Sequence, residues 1–433
     1  MPLASRLGFA ASLAPLASAL LRPQVRSEAN AVPFRNRTNP DDLLRRFGST
    51  SHSGELDDYD TWLDGHAADL DARCTECVVV EPEDEEQEMH ALAEEKCSIL
   101  VSGRGKALEN GAIVYLVTRP MDLNRLKDSL PRLWYYLLRH WQYDVKVFVP
   151  GQSLRELDPE SFGTSPSIQH VNDTLAQYSG LPVDYNIEVV PFDLEFPKVL
   201  ADTNGEWKQR MNGCAQAVSE AGSVSYMHMN QFFTKVMYEH PALAQYRYYL
   251  RLDADFSFVK TVKEDPFCMM RFTGRKFVWQ KRKGIHDPRC SDGLWEWFES
   301  YRDQNDLAAG KDEIFWGENG AHVNYVGFAT MGDLNFFRSE RVRKLAHAIN
   351  EDGRIYLNRW SDQTYYVLLL ALFEEHTKVG DMGFNWPKDS WCHKCEFPDT
   401  DRPPFSSVPL NSPLAPPLGV FGGPGVHDWG KYN

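Results

Sequence analysis

The sequence predicts an α/β fold built on a wound, largely parallel sheet, and three consecutive segments predict it. Ala112–Val117 (AIVYLV) is an apolar run of strand type, Asp122–Trp141 has helical spacing, and Val145–Val149 (VKVFV) returns as a second strand. A parallel strand pair needs a crossover of this kind, because a tight turn cannot bring two strands back in the same direction. The chain has 433 residues, 42% of them hydrophobic and 12% aromatic, enough to bury a large core in one or two domains.

Residues 1–26 (MPLASRLGFAASLAPLASALLRPQVR) carry Arg6, an apolar run from Leu7 to Leu21 and then Arg22, with no acidic residue before Glu28. The run falls short of the roughly 20 apolar residues of a membrane-spanning helix, and Pro15 interrupts it. A signal peptide or short signal anchor is expected, with an organelle transit peptide as the competing reading. Residues 27–108 are polar and acidic, including Glu81–Lys96 (EPEDEEQEMHALAEEK), and read as a largely disordered stem. The globular domain is expected over residues 109–400. Within its first helix Leu126, Leu130, Leu133, Leu137 and Leu138 share one face. A strand follows at Asn186–Phe192, helices around Trp207–Ala221 and Tyr226–His240, and a strand at Tyr248–Asp253. Helices at Ser339–Asn350 and Ser361–Glu375 belong to the last third. Residues 401–433, rich in proline and glycine, are expected to pack as a tail on that domain.

The formal net charge of −15 argues against nucleic acid as a partner, since phosphate backbones are held by clusters of Lys and Arg. Eight cysteines, an even number, suit disulfides in an oxidising lumen. Two pairs have C-x-x-C spacing, Cys74/Cys77 and Cys392/Cys395; zinc would require both to meet from opposite ends of the chain. The sequons at Asn36 and Asn172 agree with a lumenal fate.

The segment richest in chemistry is Tyr248–Phe256 (YYLRLDADF), an aromatic strand running into Asp253-Ala254-Asp255. Alternate strand residues face the same way, so both carboxylates can leave one sheet edge together. Ligands of parallel α/β sheets gather beyond the carboxyl ends of the strands. Hard divalent cations prefer carboxylate and phosphate oxygens, so such a pair can hold a cation against a diphosphate.

Several stretches resemble glycosyltransferase family 15, the yeast-type Golgi α-1,2-mannosyltransferases: Val114–Arg119 (VYLVTR), Val224–Phe233 (VSYMHMNQFF), Tyr248–Phe258 (YYLRLDADFSF), Leu334–Ser339 (LNFFRS) and Asn358–Asp362 (NRWSD). The resemblance implies a GT-A type fold, a single Rossmann-like mixed sheet flanked by helices. It implies transfer of mannose, with retention of configuration, from GDP-mannose to a mannose-containing glycan of glycoproteins or glycolipids. Mn²⁺ (or Mg²⁺) is the implied cofactor, and the Golgi or endoplasmic reticulum lumen the implied place, with membrane association through the N-terminus.

Asp253-Ala254-Asp255 stands where the family has Glu-Pro-Asp. The resemblance places Thr118, Arg119, Tyr226 and Arg251 with these aspartates at the donor, and Asp362 and Trp386 at the acceptor. Two positions depart from the family. Thr330 occupies the place of a Glu proposed as nucleophile or base, and Trp386 that of a metal-binding His. Asp333 and Glu318 are candidate replacements for the carboxylate, and His427 for the ligand, ahead of His393. A front-face substitution, in which the donor phosphate takes the acceptor proton, needs no nucleophile from the protein.

His228 reads as a structural histidine, Lys281-Arg282-Lys283 as a solvated loop, and most of Trp279, Trp295, Trp297, Trp316, Trp360, Trp386 and Trp391 as core. Three alternatives stay open: a related transferase with another nucleotide sugar, an inactive glycan-binding homologue, and a glycoside hydrolase. The last fits poorly, because carboxylates two residues apart do not straddle a sugar at roughly 5–9 Å.

Overall fold

Strand-forming runs rich in Val, Ile, Tyr and Phe fold into a seven-stranded sheet. The computed structural model describes residues 84–98, 107, 109–178, 185–201, 206–218, 224–280, 282–284, 288–307, 323–373, 379–381 and 390–395. The strands are β1 (Gly111–Leu116), β2 (Asp144–Pro150), β3 (Ile187–Phe192), β4 (Tyr248–Leu252), β5 (Phe256–Phe258), β6 (Phe277–Trp279), β7 (Arg282–Gly284), β8 (Val323–Tyr325), β9 (Ala329–Asp333), β10 (Val379–Asp381) and β11 (Trp391–His393). The main sheet has the order β10-β6-β9-β4-β1-β2-β3, with β5/β11 and β7/β8 forming small antiparallel pairs. From β4 to β3 all neighbours are parallel, whereas β9 runs antiparallel between β4 and β6. The sheet is therefore wound and mixed, as expected.

The longer helices are α1 (Asp84–Cys97), α2 (Pro120–Leu133), α3 (Ile168–Tyr178), α4 (Ser225–Gln231), α5 (Pro266–Thr273), α6 (Leu294–Gln304), α7 (Glu340–Asp352) and α8 (Asp362–Phe373). Both faces of the sheet are covered, and β1 shows why its sequence is apolar throughout. Ala112 and Val114 join the core on one side, while Ile113 and Tyr115 join the core on the other. The second core takes the predicted leucine face of α2 and its π-helical extension Trp134–Leu138. The first takes α8, whose Leu368, Leu369 and Leu370 are all fully buried. A helix apolar on every side belongs inside a large domain.

Two local expectations are corrected. The helix expected over Trp207–Ala221 is broken into a 3₁₀ turn, Glu206–Arg210, and a short helix, Gly213–Val218. Asn212 makes the break, its amide donating to the carbonyl of Leu357 and its side chain capping Ala215 N. The end of the segment read as disordered stem is part of the folded unit: α1 packs Ala93 and Cys97 against Cys268 and Met269 of α5. Glu94 and Glu95 are exposed, and a Cys97–Cys268 disulfide ties the helix down. The expected signal segment, the rest of the stem and the 401–433 tail lie outside the described residues.

The Cys97–Cys268 bond closes a span of 171 residues. Long closed loops restrict the unfolded chain most, so Cys97→Ser with Cys268→Ser is expected to cost about 2–5 kcal/mol in non-reducing chemical denaturation. An unchanged midpoint would mean that α1 contributes nothing to the folded unit.

Candidate active site

The chain runs outward from β1 to β2 and β3, then returns to place β4 on the other side of β1. This reversal makes a crevice at the carboxyl ends of β1 and β4, the place where open α/β sheets bind ligands. Thr118 and Arg119 follow β1, and Asp253 and Asp255 follow β4, so two of the recognised segments converge there.

The turn after β4 is held by Asp253 N donating to the Phe328 carbonyl (2.8 Å) and Phe256 N donating to the Asp253 carbonyl (3.0 Å). It presents both carboxylates beside His393, and one ligand atom from each of the three residues lies within 4.8 Å of the others. His393 arrives on β11, opposite Phe256 in register, with its ring stacked on Phe328 at 4.2 Å. The Cys392–Cys395 disulfide and the Lys394 N to Asp255 carbonyl bond (3.1 Å) hold this return strand in place.

Asp255 faces two nitrogen donors, His393 Nε2 at 3.3 Å from Oδ1 and the Arg125 guanidinium, whose Nη1 is 2.8 Å from Oδ2. Burial alone would raise its carboxyl, but the hydrogen bond and charge of His393 and the charge of Arg125 outweigh burial and hold it below its ordinary value. Asp253 shifts the opposite way. Enclosure raises it and the Asp255 charge adds to the rise, against the pull of Arg251. The two neighbouring carboxylates are thus pushed in opposite directions.

Beneath them lies a buried ion pair. Arg251 Nη1 donates to Asp362 Oδ2, and its Nη2 lies 3.4 Å from Asp253 Oδ1. The guanidinium sits over the Phe233 ring at 3.4 Å. Burial disfavours the charged form of Arg251, but Asp362 and Asp253 outweigh that and keep it protonated. Gly327 lets the chain approach closely: a Cβ there would meet Arg251 Nη1 at 3.1 Å and Asp362 Oδ2 at 3.2 Å.

Arg119 borders the same crevice, close enough to feel the charges of Asp253 and Asp255, and its Nη2 is 2.9 Å from Asp122 Oδ1. Asp122 also accepts from the Thr118 and Arg119 amides, fixing the turn from β1 into α2. Tyr226, on α4, packs on the core under the Arg359 guanidinium, 4.5 Å from its ring.

Two proposed catalytic residues are corrected. Thr330 pairs with Arg251 across β4 and β9 and is 0% exposed, so it forms a wall and cannot reach a substrate. Asp333 pairs with Tyr248 at the far end of β4, about 16 Å along the strand from Asp253. There it caps Asn335 N (3.0 Å) and binds Lys276 Nζ (3.0 Å), a structural role. Glu318, Trp386 and His427 lie outside the described residues. His393, ranked behind His427 on sequence, is the histidine brought to the aspartates among the described residues. Arg125 was missed, although it stands three residues from Asp122 in the opening turns of the helix after β1, a face that looks to the crevice.

His228 has the structural role expected of it. Its Nδ1 meets the Tyr356 hydroxyl at 2.9 Å and its Nε2 meets Asp158 at 2.8 Å, while burial pulls its pKa below the ordinary value against the opposing effect of Asp158.

A mixed sheet of this order, with an acidic cluster where β1 and β4 end, is the architecture of the GT-A type nucleotide-sugar transferases. Comparison with known proteins makes the class particular. A family model described as glycolipid 2-alpha-mannosyltransferase matches residues 74–400, and the chain belongs to that family. Among curated relatives, the O-glycoside alpha-1,2-mannosyltransferase homolog 2 of Schizosaccharomyces pombe is 24% identical over 183 residues, covering 38% of this chain and 45% of that one. The probable mannosyltransferase KTR4 of Saccharomyces cerevisiae is 28% identical over 203 residues, 43% of each. The chain thus spans less than half the length of these relatives. Among solved structures, core-mannan synthase A of Aspergillus fumigatus in a Mn/GDP form superimposes with a TM-score of 0.54 at 19% identity, over 66% of this chain and 74% of that one. The mannosyltransferase Ktr4p of Saccharomyces cerevisiae in complex with GDP gives 0.53 at 20% identity, over 81% and 91%. These likenesses establish the shared fold.

Proposed function

We propose that this protein transfers mannose from GDP-mannose to a mannose-containing glycan of glycoproteins or glycolipids as an α-1,2-mannosyltransferase, with the aid of a divalent cation. The observation that carries the reading is the Asp253–Asp255–His393 cluster at the switch point of the sheet. Its donor set fits such an ion: two carboxylates suit Mn²⁺ or Mg²⁺, and the imidazole favours Mn²⁺, since Mg²⁺ prefers oxygen throughout. When bound, the cation would neutralise charge on the departing diphosphate.

The chain's own residues do the rest. Arg119 borders the crevice with a guanidinium whose planar fork suits a diphosphate. Arg251 and Asp362 hold Asp253 from below; Asp362, expected at the acceptor, is 0% exposed, so it positions Arg251 and Asp253 instead of touching the sugar. With Thr330 buried and Asp333 at the wrong end of its strand, front-face substitution is the favoured route to retention. The bond from the anomeric carbon to the phosphate oxygen breaks, the acceptor oxygen bonds to that carbon on the same face, and the acceptor proton passes to a phosphate oxygen. Three ligand atoms clustered within 4.8 Å suit one ion and leave no room for a sugar between them, which disfavours the hydrolase reading.

The Cys97–Cys268 and Cys214–Cys290 disulfides support a Golgi or endoplasmic reticulum lumen. Among the described residues no helix is long and apolar enough to cross a membrane.

Thermal melting with GDP, UDP and CDP, each with and without Mn²⁺, followed by a transfer assay from GDP-mannose to an α-mannoside, tests the reading. Selective stabilisation by GDP with Mn²⁺, together with transfer, is expected. Turnover of another nucleotide sugar would overturn the donor assignment, and glycan binding without turnover of any donor would overturn the enzymatic one.

A further inference from the structure

We infer that Arg125 couples the cation to the donor: it competes with a cation for Asp255 Oδ2 and, displaced from that oxygen, turns to the donor's diphosphate. This rests on the function proposed above. Three arginines border the aspartates, and their commitments differ. Arg251 is buried against Asp362 and cannot move. Arg119 is engaged by Asp122 through both Nε (3.4 Å) and Nη2 (2.9 Å). Arg125 is different. Among the described residues its hydrogen bond goes to Asp255 Oδ2 alone, at 2.8 Å. Its side chain is 36% exposed, so the guanidinium can swing without repacking the core.

The geometry sets up a competition. Arg125 occupies an oxygen that Asp255 would give to a cation, while His393 faces the other oxygen. A guanidinium and a divalent ion at one carboxylate repel, so loading the site loosens Arg125. A diphosphate then brings the negative charge that Arg125 has lost, and its fork matches phosphate oxygens. Arg125 thereby opposes the cation alone and favours the cation together with the nucleotide, which makes the two ligands bind cooperatively.

The test measures affinities and needs no turnover. MnCl₂ is titrated into wild type, Arg125→Gln and Arg125→Lys, following free Mn²⁺ by electron paramagnetic resonance, and GDP is then titrated by calorimetry at saturating Mn²⁺. Arg125→Gln is expected to bind Mn²⁺ alone about two- to five-fold more tightly, the scale of a partly exposed ion pair. The same variant is expected to bind GDP about ten-fold or more weakly, the scale of a charge-assisted contact. Arg125→Lys keeps the competing charge but not the fork, so Mn²⁺ affinity returns toward wild type while GDP stays weakened. Unchanged or weakened Mn²⁺ binding in Arg125→Gln, or unchanged GDP affinity, overturns this inference alone. Failure of wild type to bind Mn²⁺ overturns both this inference and the proposed function.

Discussion

Asp255→Ala is expected to lower kcat/KM for GDP-mannose by at least about 10³-fold and to erase the melting-temperature rise that Mn²⁺ and GDP give the wild type. Asp255 stands between His393 and Arg125, so its removal takes one ligand and leaves the Arg125 guanidinium without its carboxylate beside the site. Repulsion then opposes any ion that approaches the remaining Asp253. The loss falls on chemistry, because charge on the departing diphosphate appears chiefly as the bond breaks, and only interactions stronger in the transition state raise kcat. The fold should survive, since β4 ends before this turn and its ladder to β1 and β9 does not use the Asp255 side chain. Turnover that stays within about ten-fold of wild type would place the reacting diphosphate elsewhere in the molecule. Asp255→Asn, which keeps the shape and removes the charge, should behave like the alanine variant if charge is what matters.

Asp362→Asn is expected to destabilise the protein by about 3–5 kcal/mol, the scale seen when one member of a buried ion pair is removed. Asp362 is 0% exposed and Arg251 1%, and the amide would leave the guanidinium with only the more distant carboxylate of Asp253. A loss of this size lowers the melting temperature of a domain of about 330 residues by roughly 5 °C. Activity should fall as well, because an under-compensated Arg251 draws Asp253 down toward itself and away from the cation. The double variant Arg251→Met with Asp362→Leu separates the two effects: apolar replacement of a whole buried pair is commonly neutral or stabilising. It is expected to recover stability while remaining inactive. A single variant that melts within about 1 °C of wild type would show that the pair carries little energy, and a double variant that regains activity would remove Arg251 and Asp362 from the site.

Local pattern was enough for much of this molecule. The strand–helix–strand order, the leucine face of α2, the strand that ends in Asp-x-Asp and the family resemblance are carried by neighbours a few residues apart, and periodicity reports such neighbours directly. The sheet could therefore be foreseen as wound and mixed, and Thr118, Arg119, Asp253 and Asp255 could be placed at strand ends. Charge content misled at α1, where an acidic run of sequence hid an inner face of Ala93 and Cys97 held by a disulfide.

Only the tertiary structure chose among groups that pattern cannot rank. Among the described residues His393 is the histidine at the aspartates, because β11 pairs antiparallel with β5 and sets its ring on Phe328. Asp333 was near enough in sequence to be a candidate, yet the antiparallel direction of β9 sends it to the opposite end of β4. Arg125 and Asp255 are separated by 130 residues, and Arg251 and Asp362 by 111. Meetings over such distances depend on where each element returns to the sheet, which is decided by the burial of whole faces and recorded in no single stretch of chain.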